Sequence, residues 1–182
     1  MAIYTKKGDK GETKVFDKKT GKLVGISKKS CKIRAIGAID EFNSFLGVII
    51  SFSEEKGLQK KLKEIQSNLF TVNSILAGGN LRFSKVKVKK LEKDLDEWEG
   101  SLPVLKNFIY YGGSKVSSLV FYARALCRKA ERSLVALSKK QTVKPELLIY
   151  LNRLSDWLFM LARKVNFEQE NKEEFWIGNK KR

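Results

Sequence analysis

The sequence predicts an all-α protein, an antiparallel five-helix bundle with a four-helix core plus one helix, preceded by an extended N-terminal loop arm. Three observations predict this fold. Apolar residues recur at steps of three and four from residue 34 onward, which is the period of a buried helix face. Gly and Pro fall between these periodic segments. Hydrophobic residues make up 42% of the chain and charged residues 31%, a composition typical of a folded helical protein.

The length of 182 residues suits one well-buried domain and is short for two. We therefore assign one domain, with an arm at 1–34, a bundle at 35–170 and a tail at 171–182. The arm has Gly, Thr and Lys at short intervals and no helical period, so we expect loops without strands there.

The first two helices differ in the width of their apolar faces. The first begins at Arg34 and should bury one broad face, made of Ile36, Ile39, Phe42, Phe45, Leu46, Ile49 and Ile50. The second follows an alternating four-three spacing from Leu58 to Leu76, which is typical of the narrow seam of a bundle. Gly78 and Gly79 end it.

The remaining three helices have recognisable ends. The third starts at Ser84, whose hydroxyl can cap it, and closes before Pro103. The fourth starts near Ser114 and runs to about Leu137, and the fifth follows Pro145 with a second leucine seam.

The charge balance favours anionic partners but does not name one. Thirty-seven Lys and Arg against 20 Asp and Glu give a net charge of +17, which attracts phosphates of any kind. Most individual lysines, such as those in 85–90, are better explained as solvated helix faces.

Cysteine usage and hydropathy indicate a cytoplasmic protein. Cys31 and Cys127 are isolated and the chain has no histidine, so we expect neither a zinc site, nor another metal site made of protein ligands, nor a disulfide framework. The N-terminus lacks the apolar core of a signal peptide. The longest apolar stretch, around Phe45–Phe52, is well short of the roughly 20 residues that span a bilayer, so we expect no membrane association.

The loop from Thr5 to Thr13 carries two glycines three residues apart, Gly8 and Gly11. Such a spacing lets the backbone turn tightly and direct N–H groups at an anion. The loop lacks the G-x-x-x-x-G-K-[ST] spacing of a phosphate-binding P-loop. Taken alone, it is better explained as an ordinary turn.

The fourth helix carries Arg124, Arg128 and Arg132 at steps of four, with Glu131 on the same stripe. A solvated basic face and an anion site explain this row equally often. The use of Arg in a lysine-dominated chain favours the anion site, because the rigid guanidinium fork matches phosphate oxygens.

Three further groups have open interpretations. Asn152, Asp156 and Arg163 share a stripe of the fifth helix, as either a surface network or part of a site. Asp40 can pair with an arginine from another helix or another subunit. Phe108 precedes two glycines, and its ring is either packed, which is the commoner case, or directed into a cavity.

Together these segments resemble the ATP:cob(I)alamin adenosyltransferases of the trimeric helical-bundle type. The matching pieces occur in the family's order over nearly the whole chain: 5–13, Lys28 with 37–44, Phe108 with 112–113, 124–132 and 152–163. Several motifs in register are far more specific than any one of them.

The resemblance implies that the Co(I) centre of a reduced corrinoid attacks the ribose 5′-carbon of ATP and displaces triphosphate. The nucleophile then belongs to the corrinoid, and the protein aligns the reactants and stabilises charge on the leaving group. The resemblance also implies a homotrimer with active sites between subunits, Mg²⁺ on the nucleotide phosphates, and a reductase as electron donor.

Carried over by position, the resemblance assigns individual roles. The phosphates lie against Thr5, Lys6, Lys7, Gly8, Thr13, Lys14 and Lys28, with an opposite wall of Arg128, Lys129, Ala130, Glu131, Arg132 and Asn152. Arg128 is the first choice for a triphosphate contact. Phe108 corresponds to the aromatic at the lower corrin face, and Asp40 and Arg124 correspond to a salt bridge between subunits.

Two departures from the family pattern bear on the site. Lys129 stands where the family commonly has Arg, and it keeps the charge but loses bidentate geometry. Tyr111 replaces the usual Pro before the two glycines and changes how the loop presents Phe108.

The alternative function is a non-catalytic basic module that binds ATP or nucleic acid. Nucleic acid is disfavoured because aromatic residues do not interleave with the basic runs.

Overall fold

The computed structural model describes residues 4, 6 and 8–178. Its elements are β1 (Glu12–Asp17), β2 (Lys22–Ser27), α1 (Cys31–Phe52), α2 (Lys56–Leu76), α3 (Val86–Ser101), α4 (Lys115–Ser138) and α5 (Pro145–Glu168). Helix α4 packs against both α1 and α5, while α2 packs on α1 and α3 packs on α5. The predicted five-helix bundle is confirmed, and α4 lies at its centre.

The core is built largely from the apolar faces that the periodicity predicted, although Ile36, Phe45 and Ile50 of α1 are only half-buried at its edge. All six seam residues of α2 are buried: Leu58, Leu62, Ile65, Leu69, Val72 and Leu76. The rings of Trp98 and Trp157 lie 5.3 Å apart between α3 and α5. The Trp157 indole donates to Asp94 at 2.9 Å, so this buried aromatic keeps a partner for its N–H.

Local caps set where the helices begin. The Ser30 hydroxyl accepts from the Ile33 N–H, so α1 begins three residues before the predicted Arg34. The predicted cap at Ser114 is confirmed, because its hydroxyl accepts from the Ser117 N–H at 3.1 Å. Helix α3 begins at Val86, whose N–H is bonded to the Ser84 hydroxyl at 3.2 Å, two residues beyond the predicted start.

The expectation that the arm contains no strands was wrong. Strands β1 and β2 form an antiparallel hairpin, in register from Glu12 opposite Ser27 to Asp17 opposite Lys22. The Asp17 carboxylate accepts the Lys19 N–H at 3.0 Å, and this bond lowers the pKa of Asp17. Exposure alternates along β1 around the buried Val15, but apolar and polar residue types do not alternate in either strand, so the sequence pattern did not reveal them.

The hairpin is attached to the end of α2. The Phe16 N–H donates to the Ala77 carbonyl at 2.9 Å. Gly78 follows with φ +102°, and a Cβ there would lie 2.0 Å from the Phe16 carbonyl oxygen. A residue without a side chain is therefore required where the arm meets the bundle.

Helix α1 is longer and more apolar than the stretch picked out from the sequence. By length and composition alone it is able to cross a membrane. In the structure it packs along α2 and α4, and a core helix of a bundle passes the same test.

Candidate active site

A cavity of about 710 Å³ opens beside the segment that joins α3 to α4. Both apolar and charged side chains line it: Glu92, Leu95, Asp96, Glu99, Leu105, Phe108, Tyr111, Arg124, Arg153, Asp156, Phe159 and Met160. Phe108 is 77% exposed, an unusual state for so large an apolar ring. Of the two interpretations of Phe108, the structure has the ring at a cavity and not in the core.

Arg124 lies in the wall of this cavity, between two aromatic rings. Its guanidinium carbon is 5.7 Å from the Tyr111 ring centre and 5.3 Å from that of Phe159, within the range of cation–π attraction. Its Nη1 donates to the Tyr111 hydroxyl at 3.2 Å. In the part of the chain that the structure describes, Arg124 Nε is buried and has no hydrogen-bond partner. An unpaired buried donor costs free energy, because it has lost its hydrogen bond to water.

Tyr111 has a structural role that the sequence did not reveal. Its ring stacks on Phe121, with centroids 4.9 Å apart and an interplanar angle of 26°. This stacking fixes the hydroxyl that receives Arg124. The aromatic residue found in place of the family's usual Pro therefore supports the arginine of the cavity wall.

The three polar residues of the α5 stripe lie in three different surroundings. Asn152 donates to Glu131 on α4 at 2.9 Å. Asp156 lines the cavity and accepts from Arg153 at 3.1 Å. Arg163 is buried, and its guanidinium bonds Glu173 and the Pro103 carbonyl.

The α4 residues assigned to ATP lie in different surroundings. Arg128 is exposed, one turn beyond Arg124. Lys129 forms a 2.6 Å ion pair with Glu41, and with Arg132 it lines a smaller pocket of about 310 Å³. Ala130 is completely buried in the core, so its side chain does not reach either surface.

The smaller pocket is basic. Besides Lys129 and Arg132 it is lined by Cys31, Arg34, Ser133 and Ala136, which come from the start of α1 and the second half of α4. Cys127, the other thiol, is completely buried, and burial raises its pKa.

The arm presents a compact loop before β1. The Lys28 ammonium donates to the Gly8 carbonyl at 2.9 Å, and the Lys28 N–H donates to the Gly11 carbonyl, also at 2.9 Å. Lys6 has φ 57°, a left-handed conformation that costs a residue with a side chain about 1–2 kcal/mol.

The other arm residues assigned to the phosphates lie on β1 or outside the described residues. Thr13 and Lys14 are on β1, opposite Ile26 and Gly25. Thr5 and Lys7 lie outside the described residues.

Asp40 is exposed on α1, where a partner from another chain has access to it. Asn43, three residues on, is buried, and its backbone carbonyl accepts from the Gln66 side chain at 3.1 Å.

Within residues 4, 6 and 8–178, no three His, Cys, Asp or Glu side chains are grouped closely enough to hold a metal ion.

Comparisons with known proteins identify the family of this chain. A family model for cobalamin adenosyltransferases matches residues 3–165. A corrinoid adenosyltransferase of Bacillus subtilis is 39% identical over 174 residues, covering 91% of this chain and 87% of the relative. The human corrinoid adenosyltransferase MMAB is 35% identical over 189 aligned positions, covering 97% of this chain and 74% of the relative.

Solved structures extend the match to the fold. A phenylalanine-to-alanine variant of the PduO-type ATP:corrinoid adenosyltransferase from Lactobacillus reuteri, complexed with cobalamin and ATP, has a TM-score of 0.88 at 30% identity, covering 96% of this chain and 99% of that one. An arginine-to-lysine variant from the same organism, complexed with ATP, has a TM-score of 0.88 at 32% identity, covering 96% and 100%. On the family match, the sequence identity and the shared fold, this chain belongs to the cobalamin adenosyltransferase family.

Proposed function

We propose that the Phe108 cavity holds the corrinoid and that Arg128, with the arm, holds the triphosphate of ATP. The enzyme is an ATP:corrinoid adenosyltransferase, which transfers the 5′-deoxyadenosyl group of ATP to the cobalt of a reduced corrinoid. One observation carries the assignment of the site. Arg124 lies in the cavity wall and Arg128 follows one helical turn later, so a ring in the cavity and an anion at Arg128 are neighbours.

The chemistry requires alignment more than acid–base catalysis. The electron pair of Co(I) forms the Co–C5′ bond, and the C5′–O5′ bond breaks with its electrons leaving on triphosphate. Arg128, Lys6 and Lys28 stabilise the negative charge that develops on this leaving group. Phe108 covers one face of the corrin and keeps water and the lower axial ligand from the cobalt, which makes Co(II) easier to reduce.

Magnesium enters with the nucleotide as part of the substrate. Mg²⁺ commonly binds through phosphate oxygens and water, with few protein ligands.

The spacing of two altered residues in a relative supports the assignment of Phe108 and Arg128. The Lactobacillus reuteri variants change a phenylalanine and an arginine that are twenty residues apart in that chain. Phe108 and Arg128 have the same separation, on a fold with a TM-score of 0.88 to that enzyme.

The site is proposed to form between the subunits of a homotrimer. Arg124 is half-buried and lines the cavity, and Asp40 presents an exposed carboxylate on α1. A carboxylate from a neighbouring protomer that paired with the Arg124 guanidinium would balance its charge. The pair would also bring α1 of one protomer to the cavity of the next.

A charge reversal tests this pair. We expect Asp40→Arg to weaken the trimer and to lower activity at least tenfold, because two cations then meet at the interface. The double variant Asp40→Arg/Arg124→Asp should recover the trimer, measured by light scattering after gel filtration. If both proteins stay trimeric, the pair does not join the subunits.

Anaerobic incubation with MgATP and chemically reduced cobalamin, followed optically, tests the function directly. Conversion of the Co(I) spectrum to that of the adenosylated product supports it. DNA binding that falls steeply with salt, without any ATP- and corrinoid-dependent spectral change, would instead favour a basic binding module.

The proposal also includes a reductase partner, which affinity capture tests. It includes a cytoplasmic location, which cell fractionation tests.

A further inference from the structure

Two side chains of α5 hold both ends of the segment that carries Phe108. Asn166 Nδ2 donates to the Gly112 carbonyl at 2.9 Å, and Asn166 Oδ1 accepts from the Ser114 N–H at 3.1 Å. Gly113 lies so close that an added Cβ would be 2.2 Å from Asn166 Oδ1. One turn earlier on α5, Arg163 Nη2 donates to the Pro103 carbonyl at 2.7 Å, at the other end of the segment.

Arg163 also forms a buried ion pair with the chain beyond α5. Its Nε and Nη2 donate to the two Glu173 carboxylate oxygens at 2.6 and 3.0 Å. The two side chains are 4% and 15% exposed. Bidentate pairs in so dry a place fix the geometry of both partners, whereas most surface ion pairs do not.

The residues after Glu173 lie directly on the Phe108 backbone. Tyr110 N–H donates to the Glu174 carbonyl at 2.9 Å, and Trp176 N–H donates to the Phe108 carbonyl at 2.7 Å. Ile109 and Phe175 form an antiparallel bridge between these bonds. The Trp176 ring meets the Phe108 ring edge to face, with centroids 6.3 Å apart.

We propose that Arg163 and Glu173 are positioning residues that hold Phe108 in place at the corrin face. The ion pair anchors the tail segment 171–178, and the anchored tail pairs with the backbone of the segment that carries Phe108, whose own ring is 77% exposed although Ile109 beside it is buried. The conformational entropy of this segment is then lost when the protein folds, and it does not have to be lost when the corrinoid binds. This inference rests on the proposed role of Phe108.

The first test measures the anchor without using activity. Glu173→Gln keeps the shape of the side chain and removes its charge, and Glu174→Gln is the matched control on an exposed neighbour. We expect hydrogen–deuterium exchange at the Tyr110 and Trp176 amides to become faster in Glu173→Gln and to stay unchanged in Glu174→Gln. Unchanged exchange in both variants would overturn the anchor.

The second test asks whether the anchor acts through Phe108. We expect Glu173→Gln to lower kcat/KM for the corrinoid about tenfold, chiefly by raising its KM, with the KM for ATP unchanged. In a Phe108→Ala background the same change should have less than about a twofold effect, because the group being positioned is gone. An equal loss in both backgrounds, or an equal rise in both KM values, would refute a positioning role.

The two proposals fail in distinguishable ways. A wild-type protein that does not adenosylate reduced cobalamin would refute the proposed function and with it the positioning role. The hydrogen–deuterium exchange measurement still decides whether the Arg163–Glu173 pair holds the tail on the segment that carries Phe108.

Discussion

Arg128→Ala is expected to lower kcat about 10²–10³-fold, the usual cost of removing one donor aimed at charge that develops in a transition state. The side chain is exposed, so the free energy of unfolding should change by no more than about 0.5 kcal/mol. Initial rates with saturating MgATP and chemically reduced cobalamin measure the first quantity, and urea unfolding measures the second.

Two further variants separate charge from geometry at this position. Arg128→Lys keeps the charge and loses the fork of donors, so its activity should lie between those of the wild type and Arg128→Ala. Arg82→Ala removes another exposed arginine, before α3, and should leave the rate unchanged. Wild-type turnover in Arg128→Ala would remove this residue from the mechanism.

Phe108→Ala is expected to leave ATP binding intact and to lower kcat/KM for the corrinoid about 10²-fold, since a misplaced or missing positioning group costs about that much. The physical reason is that water or the lower axial ligand then reaches the cobalt. Electron paramagnetic resonance of Co(II) corrinoid in the presence of ATP should show less of the four-coordinate species. An unchanged spectrum would contradict the role of the ring.

The control for Phe108→Ala is another exposed phenylalanine, one that does not line the cavity. Phe70 on α2 is 62% exposed against 77% for Phe108, so Phe70→Ala removes a similar ring at similar cost to stability. Its Co(II) spectrum and its activity should match those of the wild type.

The helices were predictable because their signals are local. The seam of α2, the cap at Ser114 and the start at Pro145 each follow from residues within one or two turns. The hairpin was missed because its strands expose most of their side chains, and its docking depends on the distant backbone of Ala77. The spacing of apolar residues within a short segment does not predict a contact between residues so far apart in sequence.

The candidate site was predictable only in part, for a similar reason. Phe108 stood out because a large ring precedes two glycines, and the arginine row of α4 stood out by its spacing. The Tyr111 support of Arg124 and the Glu173 pairing of Arg163 are side-chain contacts between elements, set by packing angles that the sequence pattern does not encode. Arg163 was therefore noticed as part of a stripe and its partner was not.

The unequal burial of the two cysteines gives the protein a natural attachment point for a reporter dye. The Cys127 thiol is enclosed in the bundle and held in its neutral form, which does not react with maleimides. Cys31 is half-buried and lines the basic pocket together with Arg34 and Arg132. A single fluorophore can thus be coupled to the native sequence at a place where an approaching nucleotide would alter its emission.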